Sequence, residues 1–482
     1  MFPQAHIRPL ALNLLVLTCS LPLAAQAGPY PDTGITALIP WSQRTDKPTE
    51  TFTFDETPEA RIQFSYDRSI PGGPWTQGPD PTDPTDMTPR WYSFDVDTGT
   101  CGIVTNWEKV NLQPSERPEP DPADPTKVTN KGQQYLSSSE ILYVGYWVQR
   151  QVKFVHSTPV IKTLQPVFAV TEKYENCKRW EERMKYSCDD ATRVRVIGSI
   201  TTLGIGYGRT YDGQPQGTPD KNPLLNIVSI GDTQIDPVPP ATPPATFHPG
   251  WRINENGVQV GLTQSIWDGP SPRLSWPRFP IFNGPVIQLG TPANTTVPFP
   301  PELAGNNPHT PWSELRGAVQ FPGARNNRLV DVALLLDTGM GWSSIRVDEN
   351  LATAVRDSLH LLTDNQIASV TCVGYLVGHG PLHPLFNAFT QTYKYINRGF
   401  PEPGVCWTPE FTKVSHDDRP YFVNTGRNVF KVWGFAFDPW NGLVKLQWRG
   451  DTCPVRVILE LPHIPTTLPG RGSIYDTLTL TH

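Results

Sequence analysis

Two Asp-Thr-Gly triplets, Asp97-Thr98-Gly99 and Asp337-Thr338-Gly339, each close an apolar, strand-like run. The first follows Phe94-Asp95-Val96, and the second follows Val332-Ala333-Leu334-Leu335-Leu336. A strand that breaks this way delivers its carboxylate at a loop tip, with a compact Thr and a permissive Gly behind it. Two such loops can approach until their carboxylates share a proton. Asp-Thr-Gly is also ordinary turn chemistry, and Asp32-Thr33-Gly34, which follows Pro31 with no apolar strand ahead of it, reads as such a turn. The matching contexts of the other two triplets distinguish them from this internal control.

Composition decides the fold class around them. The 482 residues include 53 Pro and 38 Gly, too many to sit inside long helices, so the natural architecture is many short strands joined by turns. A net charge of -6, without clustered Lys and Arg, supplies no basic field and sets nucleic-acid binding aside. Arg8, an apolar run from Leu10 to Leu23 and Ala25-Gln26-Ala27 read as a signal peptide over residues 1–27, which predicts a secreted or periplasmic protein. Leu17-Thr18 makes a poor lipid-attachment box ahead of Cys19. No later segment is long and apolar enough to span a bilayer.

Six cysteines remain after residue 27, an even number that favours disulfides in an exported chain. Cys177 and Cys188 flank a charged stretch and are the candidate pair. Cys101, Cys372, Cys406 and Cys453 allow three connectivities, with a bond among the last three favoured. His379 and His383 have the separation of a helical metal pair, but Gly380 and Pro381 break the helix, so a loop is expected and no metal. No Gly-x-Ser-x-Gly elbow or phosphate-binding loop is present. Asn294-Thr295-Thr296 is a glycosylation sequon.

Glycine-containing segments follow each triplet: Leu203-Gly204-Ile205-Gly206 after the first and Phe422-Val423-Asn424-Thr425-Gly426 after the second. Beyond Gly426, an aromatic-rich run ends in Phe437-Asp438 and continues through Asn441-Gly442 into Leu443-Val444, a strand, turn and return strand. In these features, over roughly residues 85 to 450, the chain resembles the pepsin-like aspartic proteases. That resemblance implies a mostly β, bilobal fold with an active-site cleft between an N-terminal lobe over 28–270 and a C-terminal lobe over 271–482. The strand-like pieces at 250–253 and 257–262 would finish the first lobe.

The resemblance also implies roles. Asp97 and Asp337 would be catalytic, Thr98, Gly99, Thr338 and Gly339 would support their loops, and Gly204, Gly206 and Gly426 would cross behind them. A flap hairpin is expected between Asp97 and Gly204, with Tyr135 over the substrate and Tyr143 as the fallback. The implied activity is a secreted aspartic endopeptidase, a monomer that acts on peptide or protein substrates without a cofactor. The family's basic pro-segment is not matched, because residues 28–85 hold few Lys or Arg, so this stretch is expected to join the fold. The chain departs from the family at Met340, where a small hydroxyl or Ala is usual, at Cys101, and at Asn424-Thr425, where two aliphatics are usual. Two other readings stay open: a pepsin-like protein that binds peptides without cutting them, and an extracellular β-rich adhesion or surface protein.

Overall fold

Runs rich in Val, Ile, Phe, Tyr and Thr, broken by Pro, Gly and Asn, form β-strands here, and among the described residues the helical segments are at most five residues long. The computed structural model describes residues 30–31, 33–65, 91–117, 130–136, 138–177, 188, 192–194, 200–207, 214, 217–236, 246–269, 286–288, 312, 315–320, 330–347, 367–375, 384–394, 412–416, 421–431, 433–448, 458–459 and 478–479. They are mostly β. Residues 1–27, the expected signal peptide, and Asn294, His379, His383, Cys406 and Cys453 lie outside them.

The strands begin with β1 (Ala37–Pro40), β2 (Glu59–Phe64), β3 (Tyr92–Asp97), β4 (Cys101–Asn106), β5 (Lys131–Leu136), β6 (Ile141–Phe154) and β7 (Ile161–Glu175). They continue with β8 (Thr192–Val194), β9 (Thr201–Ile205), β10 (Ile227–Ile230), β11 (Thr233–Gln234), β12 (Trp251–Asn254) and β13 (Gly257–Val260). Next come β14 (Val286–Gln288), β15 (Leu315–Gln320), β16 (Val330–Leu335), β17 (Ser343–Val347), β18 (Ile367–Tyr375) and β19 (Pro384–Lys394). β20 (Thr412–His416), β21 (Phe422–Asn424), β22 (Trp433–Asp438) and β23 (Leu443–Trp448) complete the main sheets, and β24 (Ile458–Leu459) pairs with β25 (Leu478–Thr479).

A ten-stranded sheet runs β11-β10-β7-β4-β9-β3-β2-β6-β5, with β8 on β7, and an added β6–β7 pairing closes six of its strands into a ring. A seven-stranded sheet runs β19-β18-β15-β16-β21-β17-β20. Both contain the same threading device. β9 lies parallel to β3 and antiparallel to β4, so it passes between the strands on either side of the first triplet. β21 does the same between β16 and β17 around the second.

The third sheet, β1-β13-β12-β22-β23-β14, joins distant parts of the chain. β12 pairs with β13 on one side and with the later hairpin on the other: Trp251 lies opposite Phe437 and Ile253 opposite Phe435. The Asn441-Gly442 turn forms as expected, with Gly442 at φ 65° and Asp438 opposite Leu443. The N-terminal stretch joins this sheet through β1, and the Trp41 ring N–H donates to the Asn254 carbonyl at 2.9 Å.

One apolar core runs beneath both triplets. It includes Trp41, Phe54, Val96, Leu203, Trp251, Leu334, Leu336 and Phe437. Tyr207 stacks on Phe437 with ring centroids 4.4 Å apart, and Trp251 meets the same ring edge-on at 4.9 Å. Tyr207 follows β9, so its stack on Phe437 sets the ten-stranded sheet against the shared one. No described helix is long and apolar enough to cross a membrane.

Candidate active site

β3 ends at Asp97, and β16 ends two residues before Asp337. The loops that follow meet. Thr98 Oγ1 donates to the Leu336 carbonyl at 2.6 Å and accepts from the Thr338 N–H at 3.0 Å. Thr338 Oγ1 donates to the Val96 carbonyl at 2.6 Å and accepts from the Thr98 N–H at 3.0 Å. Four bonds thus join two segments 240 residues apart, and both threonines are buried. Hydroxyls suit this position because each can donate and accept at once.

The glycines determine how closely the acids approach. A Cβ on Gly99 would stand 2.5 Å from Asp337 Cγ, and one on Gly339 would stand 2.6 Å from Asp97 Cγ, so any side chain at either position would push the carboxyls apart. Without side chains there, the Asp97 and Asp337 carboxyls come close enough for the charge of each to act on the other. Burial first, and then the neighbouring charge of Asp337, hold the Asp97 carboxyl well above the usual carboxylate range. The Thr100 hydroxyl and the Gly99 N–H, each 2.6 Å from an Asp97 oxygen, pull the other way. Two close carboxyls that retain one proton can accept a proton from a water and donate one to a bound carbonyl.

The crossing glycines lie directly behind the loops. A Cβ on Gly204 would stand 2.5 Å from the Gly102 carbonyl oxygen, one on Gly206 would stand 2.2 Å from that of Thr98, and one on Gly426 would stand 2.4 Å from that of Trp342. Gly426 also adopts φ 62°, which a side chain would strain.

Sequence reasoning missed Asn424. On the Asp97 side, the residue after the triplet is Thr100, whose hydroxyl holds the carboxylate. On the Asp337 side that position is Met340, and Asn424 supplies the donor instead, its Nδ2 hydrogen-bonding Asp337 Oδ2. Asn424 Oδ1 accepts the Gly426 N–H at 2.9 Å, which fixes the amide orientation and aims Nδ2 at the acid. Met340 Sδ lies 3.8 Å from the same Nδ2. Asp337 thus has two donors, the other being the Gly339 N–H at 2.8 Å.

β5 and β6 form a hairpin in the expected flap position, but with the opposite face toward the acids. Gln134 lies opposite Tyr143 on one face, and Tyr135 lies opposite Leu142 on the other. Tyr135 is fully buried with Leu142, Cys177 and Cys188, and its hydroxyl donates to the Cys177 carbonyl at 2.7 Å, so the structure does not put it over the aspartates. The disulfide pairs Cys177 with Cys188, their Cα atoms 5.6 Å apart. Tyr143, the fallback, lies on the face toward Asp97, and its hydroxyl is pushed up to about 12 by burial, then by Glu175, Asp95 and Asp97. Gln134 Nε2 donates to Gln214 Oε1 at 2.9 Å, and Gln214 Nε2 donates to the Gly99 carbonyl at 3.4 Å, connecting the hairpin to the first triplet.

Two further residues frame the floor. The Arg427 guanidinium donates to the Asp55 carbonyl at 2.8 Å and to Thr57 Oγ1 at 3.1 Å, and it lies against Gly341. Cys101 is buried, with its Sγ donating to the Thr218 carbonyl at 3.4 Å. Among the described residues, no cluster of His, Cys, Asp and Glu is arranged to hold a metal ion. No protein-family model matches the chain, and no curated protein sequence matches it.

Proposed function

We propose that this protein is an exported aspartic endopeptidase with a bilobal, pepsin-like architecture. One observation carries the reading: two carboxyls from equivalent strand–triplet–strand units, each threaded by a later strand, are brought close together by loops bound to each other through reciprocal threonine bonds. The ring-forming ten-stranded sheet and the seven-stranded sheet serve as the two lobes, with the six-stranded sheet as their common base.

In this mechanism a water sits between Asp97 and Asp337. The ionised carboxyl takes a proton from the water as its oxygen attacks the peptide carbonyl carbon, and the protonated one donates to the carbonyl oxygen. The gem-diol then collapses: the C–N bond breaks as the departing nitrogen takes the proton held by one carboxyl, and one gem-diol hydroxyl gives its proton to the other carboxylate, which re-forms the carbonyl and restores the shared proton. An extended peptide lies beneath the β5–β6 hairpin and is recognised through its main chain. The disulfide fits an oxidising compartment.

The test is digestion of an unfolded protein by the purified mature chain from acid to neutral pH, with and without a hydroxyl-bearing peptide analogue of the tetrahedral intermediate. Cleavage that is greatest in acid and blocked by the analogue is the expected result. Tight binding of the analogue without cleavage at any pH would replace this reading with that of a peptide-binding protein.

A further inference from the structure

Asp337 and Asp97 are held by donors of different chemical kinds. Thr100 offers a hydroxyl, which donates to an ionised Asp97 and can turn to accept from a protonated one. Asn424 offers an amide N–H, which can only donate. Its orientation is locked because Oδ1 already accepts the Gly426 N–H, and the side chain is only 2 % exposed, so no solvent competes for it.

From this asymmetry we infer that Asn424 is a positioning residue that fixes Asp337 as the ionised member of the pair and leaves the proton on Asp97. A hydrogen bond to the charged form favours that form. Protonating Asp337 Oδ2 toward the amide would set two hydrogens against each other, whereas Asp97 Oδ2 can carry a proton against the Thr100 oxygen. The inference rests on the peptidase reading only for its kinetic consequence: in the unliganded protein, Asp337 is the base that receives the water's proton and Asp97 is the acid. Among the described residues, the titratable and charged groups near the pair are the two acids themselves, Tyr143 from the hairpin, Asp95 from the strand of Asp97, and Arg427 against Gly341. Tyr143, raised by burial, keeps its proton through the acid range. Asp95, raised by burial and by Glu59, is common to every variant below.

The experiment combines pH–rate profiles with ¹³C titration of aspartate Cγ-labelled protein, using Asp97→Asn and Asp337→Asn to assign the signals. Asn424→Ala removes the donor, and Asn424→Leu removes it while nearly preserving shape should the alanine variant unfold. Either change should raise the lower of the pair's two titrations by a unit or more, a tenfold weaker acid, with kcat falling on the acid limb and KM little changed. Adding Met340→Thr, which returns a hydroxyl to the position equivalent to Thr100, should move the titration back.

A lower titration that stays in place in both Asn424 variants overturns the inference, even if activity falls. So does a shift that Met340→Thr leaves uncorrected. If the wild type cleaves nothing but the carboxyl titration moves and recovers as described, the peptidase reading fails and the assignment of Asn424 stands. If it cleaves and the titration does not respond, the reverse holds.

Discussion

Thr98 and Thr338 each place one hydroxyl where a carbonyl from the opposite segment must be capped and an N–H must be received. Thr98→Val or Thr338→Val keeps the shape and strands both backbone groups in a buried place, so each should cost about 1–3 kcal/mol in denaturant unfolding. The double variant should cost less than the sum, because the two residues share one network. Additive losses would show that the loops are held independently. The acids have the opposite effect on stability. Because the folded-state pKa of Asp97 is raised, the folded protein binds that proton more tightly than the unfolded chain does. The resulting stabilisation is complete below the unfolded value of about 3.9 and is lost as pH rises through the folded value. Asp97→Asn cannot lose a proton. Its melting temperature should therefore match the wild type most closely in acid and exceed it increasingly toward neutrality, and a difference that is flat with pH would contradict the cause given for the shift.

At the scale of elements, the hairpin shows what local pattern cannot settle. Side chains alternate across a strand, so placing Tyr135 over the acids required knowing the register against β6, and a one-residue difference reverses the face. The small polar residues after Tyr135 locate a turn near 137–140 without specifying which face it presents. What specifies it is the disulfide, under which Tyr135 and Leu142 are buried. Removing that bridge with Cys177→Ser and Cys188→Ser opens an 11-residue separation and should cost about 2–4 kcal/mol. It should also raise KM more than it lowers kcat, because the hairpin loosens while the triplet loops keep their threonine bonds. An equal effect on kcat would mean that the hairpin helps align the acids directly. Asp97 and Asp337 were legible because the signal is local: an apolar run, an Asp and a Gly. Asn424 was not, because its partner lies 87 residues away and its role depends on what position 340 lacks. The pairing of β12 with β22 was hidden for the same reason. Each strand reads as a strand, but neither sequence names its neighbour.

The whole molecule makes the pair dependent on distant parts of the chain. One acid enters from the ten-stranded sheet and the other from the seven-stranded sheet, and the strands of the base sheet come from the first, middle and last parts of the sequence. Trp251, fully buried, packs on Phe437 within the base sheet, and Tyr207 from the ten-stranded side stacks on the same ring. Trp251→Ala should cost about 3–5 kcal/mol and reduce activity in proportion to the folded fraction, because it weakens the platform without touching the acids. Retained stability would show that the base sheet is not what joins the halves. The central claim is that the two carboxyls act as one unit, and the most direct measurement is kcat/KM for an unfolded-protein substrate in acid with Asp97→Asn, Asp337→Asn and both together. The account predicts that each single change lowers kcat/KM by about a thousandfold or more, and that the double change adds little, since either loss already removes the shared proton chemistry. Cleavage that persists in either single variant at near the wild-type rate would contradict it.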